Sequence, residues 1–270
     1  MASQGTVPMP IPTVPLKPLL SYKLLAFDIY GTLIDWETGI ISRLQPLISR
    51  LPSSHAYQDR ITLAARVNEI EATIQSADPG LLYSKVLEGV YLKLAEELDF
   101  DTTDSAIKSE ALDLGSSVGS WPAFPDTLDA MHRLKKYFPY LIPLSNVDRK
   151  SFQATYNGPL KGAGFTTYFL AEDIGSYKPD LKNFEYLLGK ADKEYGVEKE
   201  EVLQVAQSLF HDHVPAKQMG MASVWICRKG AGMGGDSAEV HRQGKVGYGW
   251  RFNTLGEFAD AVEKEAEKQT

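Results

Sequence analysis

The run from Tyr22 to Phe27 is apolar almost throughout and ends in Asp28 and Gly31, the pattern of a buried strand that stops at a tight turn. Four later segments repeat it: Tyr140 to Leu144, Thr167 to Ala171, Val202 to Ala206 and Ser223 to Ile226. Amphipathic stretches separate them, as where Phe184, Leu187, Leu188 and Ala191 recur at helical spacing. Strands that are apolar on both faces must be covered on both, and intervening helices are what covers a parallel sheet. The expected fold class is α/β, a parallel sheet flanked by helices. Thr254 with Glu257 announces a last helix, whose apolar face is Phe258, Ala259, Val262 and Ala266.

Residues 37–117 break the alternation. Leu63, Val67, Ile70 and Ile74, and then Leu87, Tyr91, Leu94 and Leu98, recur at helical spacing with no strand between them. This predicts a helical cap inserted into a core made of residues 21–36 and 118–270. The stretch Trp121-Pro122-Ala123-Phe124-Pro125 serves as the return linker, with Asp126 as the N-cap of the next helix. Residues 1–20 hold Pro8, Pro10, Pro12, Pro15 and Pro18 and one basic residue, Lys17, which fits neither a signal nor a transit peptide. They are expected to form an extended, mobile tail. Gly230, Gly232, Gly234 and Gly235 follow a strand but precede no amphipathic helix, so a mobile surface loop is expected rather than a dinucleotide-binding turn.

A net charge of -7 without a run of Lys or Arg speaks against a nucleic-acid or anionic-membrane partner. No apolar run approaches the roughly 18 residues that cross a bilayer. The single cysteine, Cys227, allows no intramolecular disulfide and is expected to be a buried, inert thiol. The expected setting is cytoplasmic, with a small-molecule partner.

Ligands of open parallel sheets bind beyond the carboxyl ends of the strands. The polar residues there are Asp28 after the first strand, Ser145 and Asn146 after the second, Lys178 after the third and Asp212 after the fourth. An acid, a hydroxyl, a lysine and a second acid form a coherent set for covalent catalysis.

The segment Asp28-Ile29-Tyr30-Gly31-Thr32-Leu33-Ile34-Asp35 resembles the first motif of the haloacid dehalogenase superfamily, in particular its type II 2-haloacid dehalogenases. The resemblance continues through Leu144-Ser145-Asn146, Tyr177-Lys178-Pro179-Asp180 and the surroundings of Asp212. It implies a Rossmann-like core with a helical cap and hydrolysis of the carbon–halogen bond of short (S)-2-haloalkanoic acids. In that scheme Asp28 attacks carbon and becomes an ester, Thr32 holds its carboxylate and Lys178 keeps it ionised. Ser145 and the backbone of Ile29 and Tyr30 would receive the substrate carboxylate. Arg66, in the segment Arg66-Val67-Asn68-Glu69-Ile70-Glu71, would receive the halide together with Asn146, and Tyr83 would wall the pocket. Asp212 would position or deprotonate the hydrolytic water. The resemblance implies no metal or other cofactor, and a homodimer through the cap as a common assembly. The residues alone offer another reading of Arg66, an ion pair with Glu69 on an exposed helix face.

Tyr30 separates reaction types. Phosphatases of the superfamily carry a second acid at that place to protonate an alkoxide, whereas halide, a very weak base, needs no proton. Phosphatases also use acids of the last motif to hold Mg²⁺, and here the first of these is Gln207. The water-handling half departs from the dehalogenases, with Gln207 and Leu209 replacing serine and asparagine, Phe184 replacing a tyrosine, and His211 and His213 flanking Asp212. A near-neutral pKa would suit His211 to help activate water. His211, Asp212 and His213 lack further metal ligands nearby, so hydrogen-bonded scaffolding is the plainer role for the histidines. A phosphatase or other hydrolase using the same aspartate, and a non-catalytic binding module, remain as alternatives.

Overall fold

A computed structural model describes residues 7–78, 80–228 and 237–269. Six parallel strands form one sheet in the order β3-β2-β1-β4-β5-β6. They are β1 (Leu24–Phe27), β2 (Tyr140–Ser145), β3 (Phe169–Leu170), β4 (Val202–Ala206), β5 (Ala222–Ile226) and β6 (Trp250–Phe252). The reversal of strand order on either side of β1 places the end of β1 at the sheet's central crevice, where Asp28 stands.

Side chains along β1 alternate between two covered faces. Leu24 and Ala26 join one buried cluster with Phe184, Leu187 and Ala191, while Leu25 and Phe27 join another. Helices supply both covers: α5 (Thr127–Leu134), α6 (Arg149–Asn157), the short α7 (Ala171–Ile174), α8 (Leu181–Tyr195), the short α9 (Val214–Gln218) and α10 (Ser237–Arg242), and α11 (Leu255–Glu267). The expected α/β class is the class observed.

Between β1 and β2 lie α1 (Trp36–Ile48), α2 (Arg60–Ala77), α3 (Tyr83–Glu97) and α4 (Ser105–Ser116), with no sheet strand among them. Leu63, Val67, Leu87, Tyr91 and Leu94 are buried where the helical spacing placed them, and Ile70 is 3% exposed. These residues belong to the same buried cluster as Leu25, Leu141, Val205 and Phe258, so the inserted helices and one sheet face share a single apolar core.

Several local expectations change. The third strand is only Phe169–Leu170, because Ala171 already starts α7. A sixth strand, β6, is too short and too mixed to stand out in the sequence. Thr254 does cap α11 by accepting from the Glu257 N–H, but Glu257 turns back to Asn253 rather than to Thr254. Asp126 does precede α5, yet its carboxylate makes no cap bond and instead meets Arg228 and the Gly256 N–H. Residues 7–20, expected as a mobile extended tail, are held in place and end in the single turn Leu19–Ser21: the Thr13 N–H donates to Gly247 O, and the Leu19 and Leu20 N–H groups donate to Glu265 at 3.0 and 2.9 Å. Residues 1–6 and the glycine-rich loop expected around residues 230–235 lie outside the described residues. Cys227 is half-buried, with Sγ 3.6 Å from Asn253 Oδ1.

Gly39 lets α1 pass close to the indole of Trp121, which donates from Nε1 to Ser117 Oγ at 2.9 Å. A Cβ at position 39 would lie 2.3 Å from the indole Cγ. Alanine gains about 1 kcal/mol of helix propensity over glycine, but a clash with a fixed ring outweighs it. Gly39→Ala is expected to lower the unfolding free energy by about 1–2 kcal/mol net, read from urea titration.

Candidate active site

The chain leaves β1 in a tight knot. Leu33 and Ile34 N–H groups both donate to Ile29 O, and Gly31 N–H donates to Ile34 O. Gly31 adopts φ 97, a left-handed conformation, and a Cβ there would lie 2.9 Å from Trp36 Nε1. This turn brings Thr32 back over Asp28. Thr32 Oγ1 donates to Asp28 Oδ2 at 2.6 Å and accepts from the Gln207 N–H at 2.8 Å, so the hydroxyl has one defined direction to donate. Behind it, Arg228 donates to Thr32 O from Nε and Nη2 and pairs with Asp126 at 2.6 Å.

Lys178 enters from the loop between α7 and α8. Its ammonium stands between two buried carboxylates, 3.0 Å from Asp28 Oδ1 and 2.7 Å from Asp212 Oδ1. Burial alone would lower the pKa of Lys178, but the two acids outweigh it and hold the amine above the ordinary lysine value. Asp212 follows β4 and also accepts from Gln204 Nε2 at 2.9 Å. Two carboxylates share one ammonium, and burial pushes the Asp212 carboxyl up to about 7 against the opposing pull of Lys178.

Asn146 ties the ends of β2 and the lysine loop together. Its Oδ1 accepts from the Lys178 N–H at 2.6 Å and its Nδ2 donates to Lys178 O at 2.9 Å. Next to it, Ser145 Oγ is buried and, like Asp212 Oδ2 and Gln204 Oε1, lacks a partner among the described residues. Buried oxygens without partners mark places where water or a ligand belongs. Ser145 and Asp212 both face a cavity of about 100 Å³, small enough to suit a molecule of few heavy atoms.

Asp28, Tyr30, Asn146, Lys178 and His211 line this cavity from the sheet side, and Tyr83 lines it from α3. Tyr30 donates to or accepts from Thr155 Oγ1 at 2.9 Å and packs against Tyr83 and Trp121. Burial raises the Tyr30 phenol above its usual range and its hydroxyl is engaged with Thr155, so it is a weaker proton donor than the carboxylic acid that phosphatases place there. Ile29 is buried and supplies backbone rather than a side chain to the turn.

Arg66 is not brought to the site. Its guanidinium binds Glu97 and Glu69 and lines a separate cavity with Ile70 and Leu92. The reason is helical phase: α2 turns Asn68, Glu71 and Gln75 into the pocket, and Arg66 lies five positions before Glu71, about 140° around the helix. The Glu69 pair that the spacing allowed is the one formed. Expectations for the water-handling half shift as well. Burial, with Lys178 nearby, pushes the His211 imidazole down to about 4, so at neutral pH it is uncharged and a poor base. His213 bonds Ser223 Oγ and Ala206 O through both ring nitrogens, as scaffolding does. Leu209 packs with Trp225 and Tyr248, away from the cavity.

Four contributors escaped the sequence reading. Gln204 was visible as an amide inside an apolar strand run, and Glu71 and Gln75 as part of a polar stripe on a cap helix. Arg228 carried no local signal. As for a divalent cation, it favours several oxygen donors, and the two carboxylates here already share Lys178. Among the described residues no three His, Cys, Asp or Glu groups gather to hold a metal, so the donor set does not fit one.

No family model and no curated protein matches the chain. Solved structures do. A defluorinating L-2-haloacid dehalogenase superposes with a TM-score of 0.67 at 18% identity, covering 93% of this chain and 100% of that one. The L-2-haloacid dehalogenase of Xanthobacter autotrophicus, solved with chloropropionic acid covalently bound, gives 0.64 at 18% identity and covers 90% and 98%. The fold is that of the haloacid dehalogenases. A putative HAD-hydrolase from Bacillus subtilis, solved with magnesium, shares the haloacid dehalogenase fold equally well, with 0.67 at 15% identity over 90% and 99%.

Lys178 is the electrostatic hub of this site. Lys178→Met leaves two buried carboxylates facing each other, and breaking such a pair costs about 3–5 kcal/mol. Protonation relieves the repulsion, so in the variant the raised Asp212 carboxyl gives stability that is present at low pH and lost as pH rises through its folded value. Urea unfolding should show the larger loss at pH 8 and a smaller one at pH 5.

Proposed function

We propose that the chain is a hydrolase that opens the carbon–halogen bond of short 2-haloalkanoic acids, the (S) enantiomer by analogy, through an ester on Asp28. The observation that carries this reading is the clamping of one carboxylate by Thr32 at 2.6 Å and Lys178 at 3.0 Å, beside a tyrosine whose hydroxyl is engaged with Thr155. A nucleophile so held suits a leaving group that departs as a stable anion.

In the first step an oxygen of Asp28 forms a bond to C2 of the substrate, and halide leaves from the opposite side with the bonding pair. Ser145 Oγ, buried and without a partner among the described residues, would donate to the substrate carboxylate. The arginine foreseen for the halide lies elsewhere, which leaves Asn146 and the aromatic wall of Tyr30 and Tyr83 around the departing ion. In the second step water attacks the Asp28 carbonyl carbon while Asp212 takes one of its protons through the unpartnered Oδ2; the bond from that carbon to the substrate oxygen then breaks, the departing alkoxide takes the proton back from Asp212, and the Asp28 carboxyl so formed loses the second water proton to solvent. The product is a 2-hydroxy acid inverted at C2, and one oxygen of Asp28 now comes from water.

A single turnover of 2-chloropropionate in ¹⁸O water should place label in the peptide that contains Asp28. An unlabelled peptide with labelled lactate would mean that water attacks carbon directly, and the reading fails. Asp28→Asn should lose turnover by at least about a thousandfold. Because Asp212 must be ionised to accept the proton, ester hydrolysis should fall as pH drops, with an inflection below the value of about 7 that Asp212 has beside an ionised Asp28, since the ester removes that charge and leaves Lys178 to lower it. Rapid-quench measurement of ester decay against pH checks this, and His211→Ala should leave the inflection in place.

A further inference from the structure

The roof of the pocket carries a chemistry that the reaction at Asp28 does not use. Asn68, Glu71 and Gln75 stand at i, i+3 and i+7 of α2 and turn one polar stripe toward the cavity. Tyr83 donates a hydrogen bond to the Glu71 carboxylate, and Gln75 Nε2 lies 3.5 Å from Glu71 Oε1. A carboxylate has about four acceptor sites, so these contacts leave room for another donor. Among the described residues lining the cavity, Lys178 is the one Lys or Arg, and its ammonium is engaged by Asp28 and Asp212.

A plain alkyl chain laid against this roof would strip water from a carboxyl and two amides and return no hydrogen bond, which is costly. A second anionic group would meet a carboxyl with no cation beside it. A hydrogen-bond donor meets neither difficulty. Burial holds the Glu71 carboxyl up at about 7, so a charged partner such as an ammonium group would find it readily ionised just above neutral pH.

We infer that Glu71 is a specificity-determining residue: it accepts a hydrogen bond from a donor on the end of the substrate remote from the carbon attacked by Asp28. The substrate class is then a short 2-halo acid bearing a hydroxyl, amide or ammonium group. This rests on the dehalogenase reading above for the reacting end, but the roof can be tested without it.

Two near-isosteric pairs serve. For turnover, 4-amino-2-chlorobutanoate is compared with 2-chloropentanoate, and for binding alone, 4-hydroxybutanoate with pentanoate by calorimetry. The donor-bearing compound should be favoured about tenfold in kcat/KM and in affinity, with the difference chiefly in KM. Glu71→Leu should bring both ratios to about one. Glu71→Gln, which still accepts a hydrogen bond but carries no charge, should keep the hydroxyl preference and lose most of the ammonium preference. Ratios near one in the wild-type protein, or a preference that survives Glu71→Leu, would overturn the inference. Absence of halide release from every chlorinated acid, with the calorimetric preference intact and abolished by Glu71→Leu, would sink the dehalogenase reading and uphold the role of Glu71.

Discussion

One buried ammonium organises this molecule's working end. Lys178 is 2% exposed and reaches two carboxylates, Asp28 directly after β1 and Asp212 in the helical turn Leu209–His213 beyond β4, so a single side chain gathers both places around the loop that follows α7. Isolated, either acid would be expelled or neutralised in such surroundings. The arrangement is asymmetric. Asp28 also has the Thr32 hydroxyl, while Asp212 has only the Gln204 amide and keeps one oxygen unpartnered. Two chemically identical groups are thereby set up for different work, one fixed and the other able to exchange a proton near neutrality.

The fixity of Asp28 is built outward in layers. Thr32 is oriented by the Gln207 N–H, its carbonyl by Arg228, and Arg228 by Asp126, which also receives the first turn of α11 through Gly256. Asn146 locks the Lys178 backbone from the other side. Arg228 and Asp126 line no part of the cavity and bear on it only through the residues they hold. Such backing residues restrict the Asp28 carboxylate to one geometry.

Much of this was legible because strand ends are short and chemically conspicuous. Asp28, Ser145, Asn146, Lys178 and Asp212 each follow an apolar run, and the sheet collects such positions at one edge whatever lies between them. The cap was less legible. Its helices could be recognised from spacing, but which face meets the pocket depends on how α2 is rolled against α3, and a segment containing both Arg66 and Glu71 can present only one of them. The placement of Arg66 rested on likeness of sequence, and the helix phase went the other way. The tail was misjudged for a related reason, since proline content predicts an extended backbone but says nothing of Gly247 or Glu265 waiting alongside. A group's pKa was equally out of reach: His211 looks like a near-neutral base until its burial beside Lys178 is known.

The inserted helices do not rest on the sheet as a detachable cover. Val67, Val90 and Leu94 share one continuous apolar mass with Leu25, Leu203 and Val224, so swinging the helices away as a block would expose hydrocarbon on both sides of the parting. The cavity beneath them is walled by side chains from both parts, Trp36 and Gln75 from the inserted segment and Lys178 and Asp212 from the core. A cavity of about 100 Å³ walled in this way rejects bulky molecules by its dimensions as much as by the groups that line it.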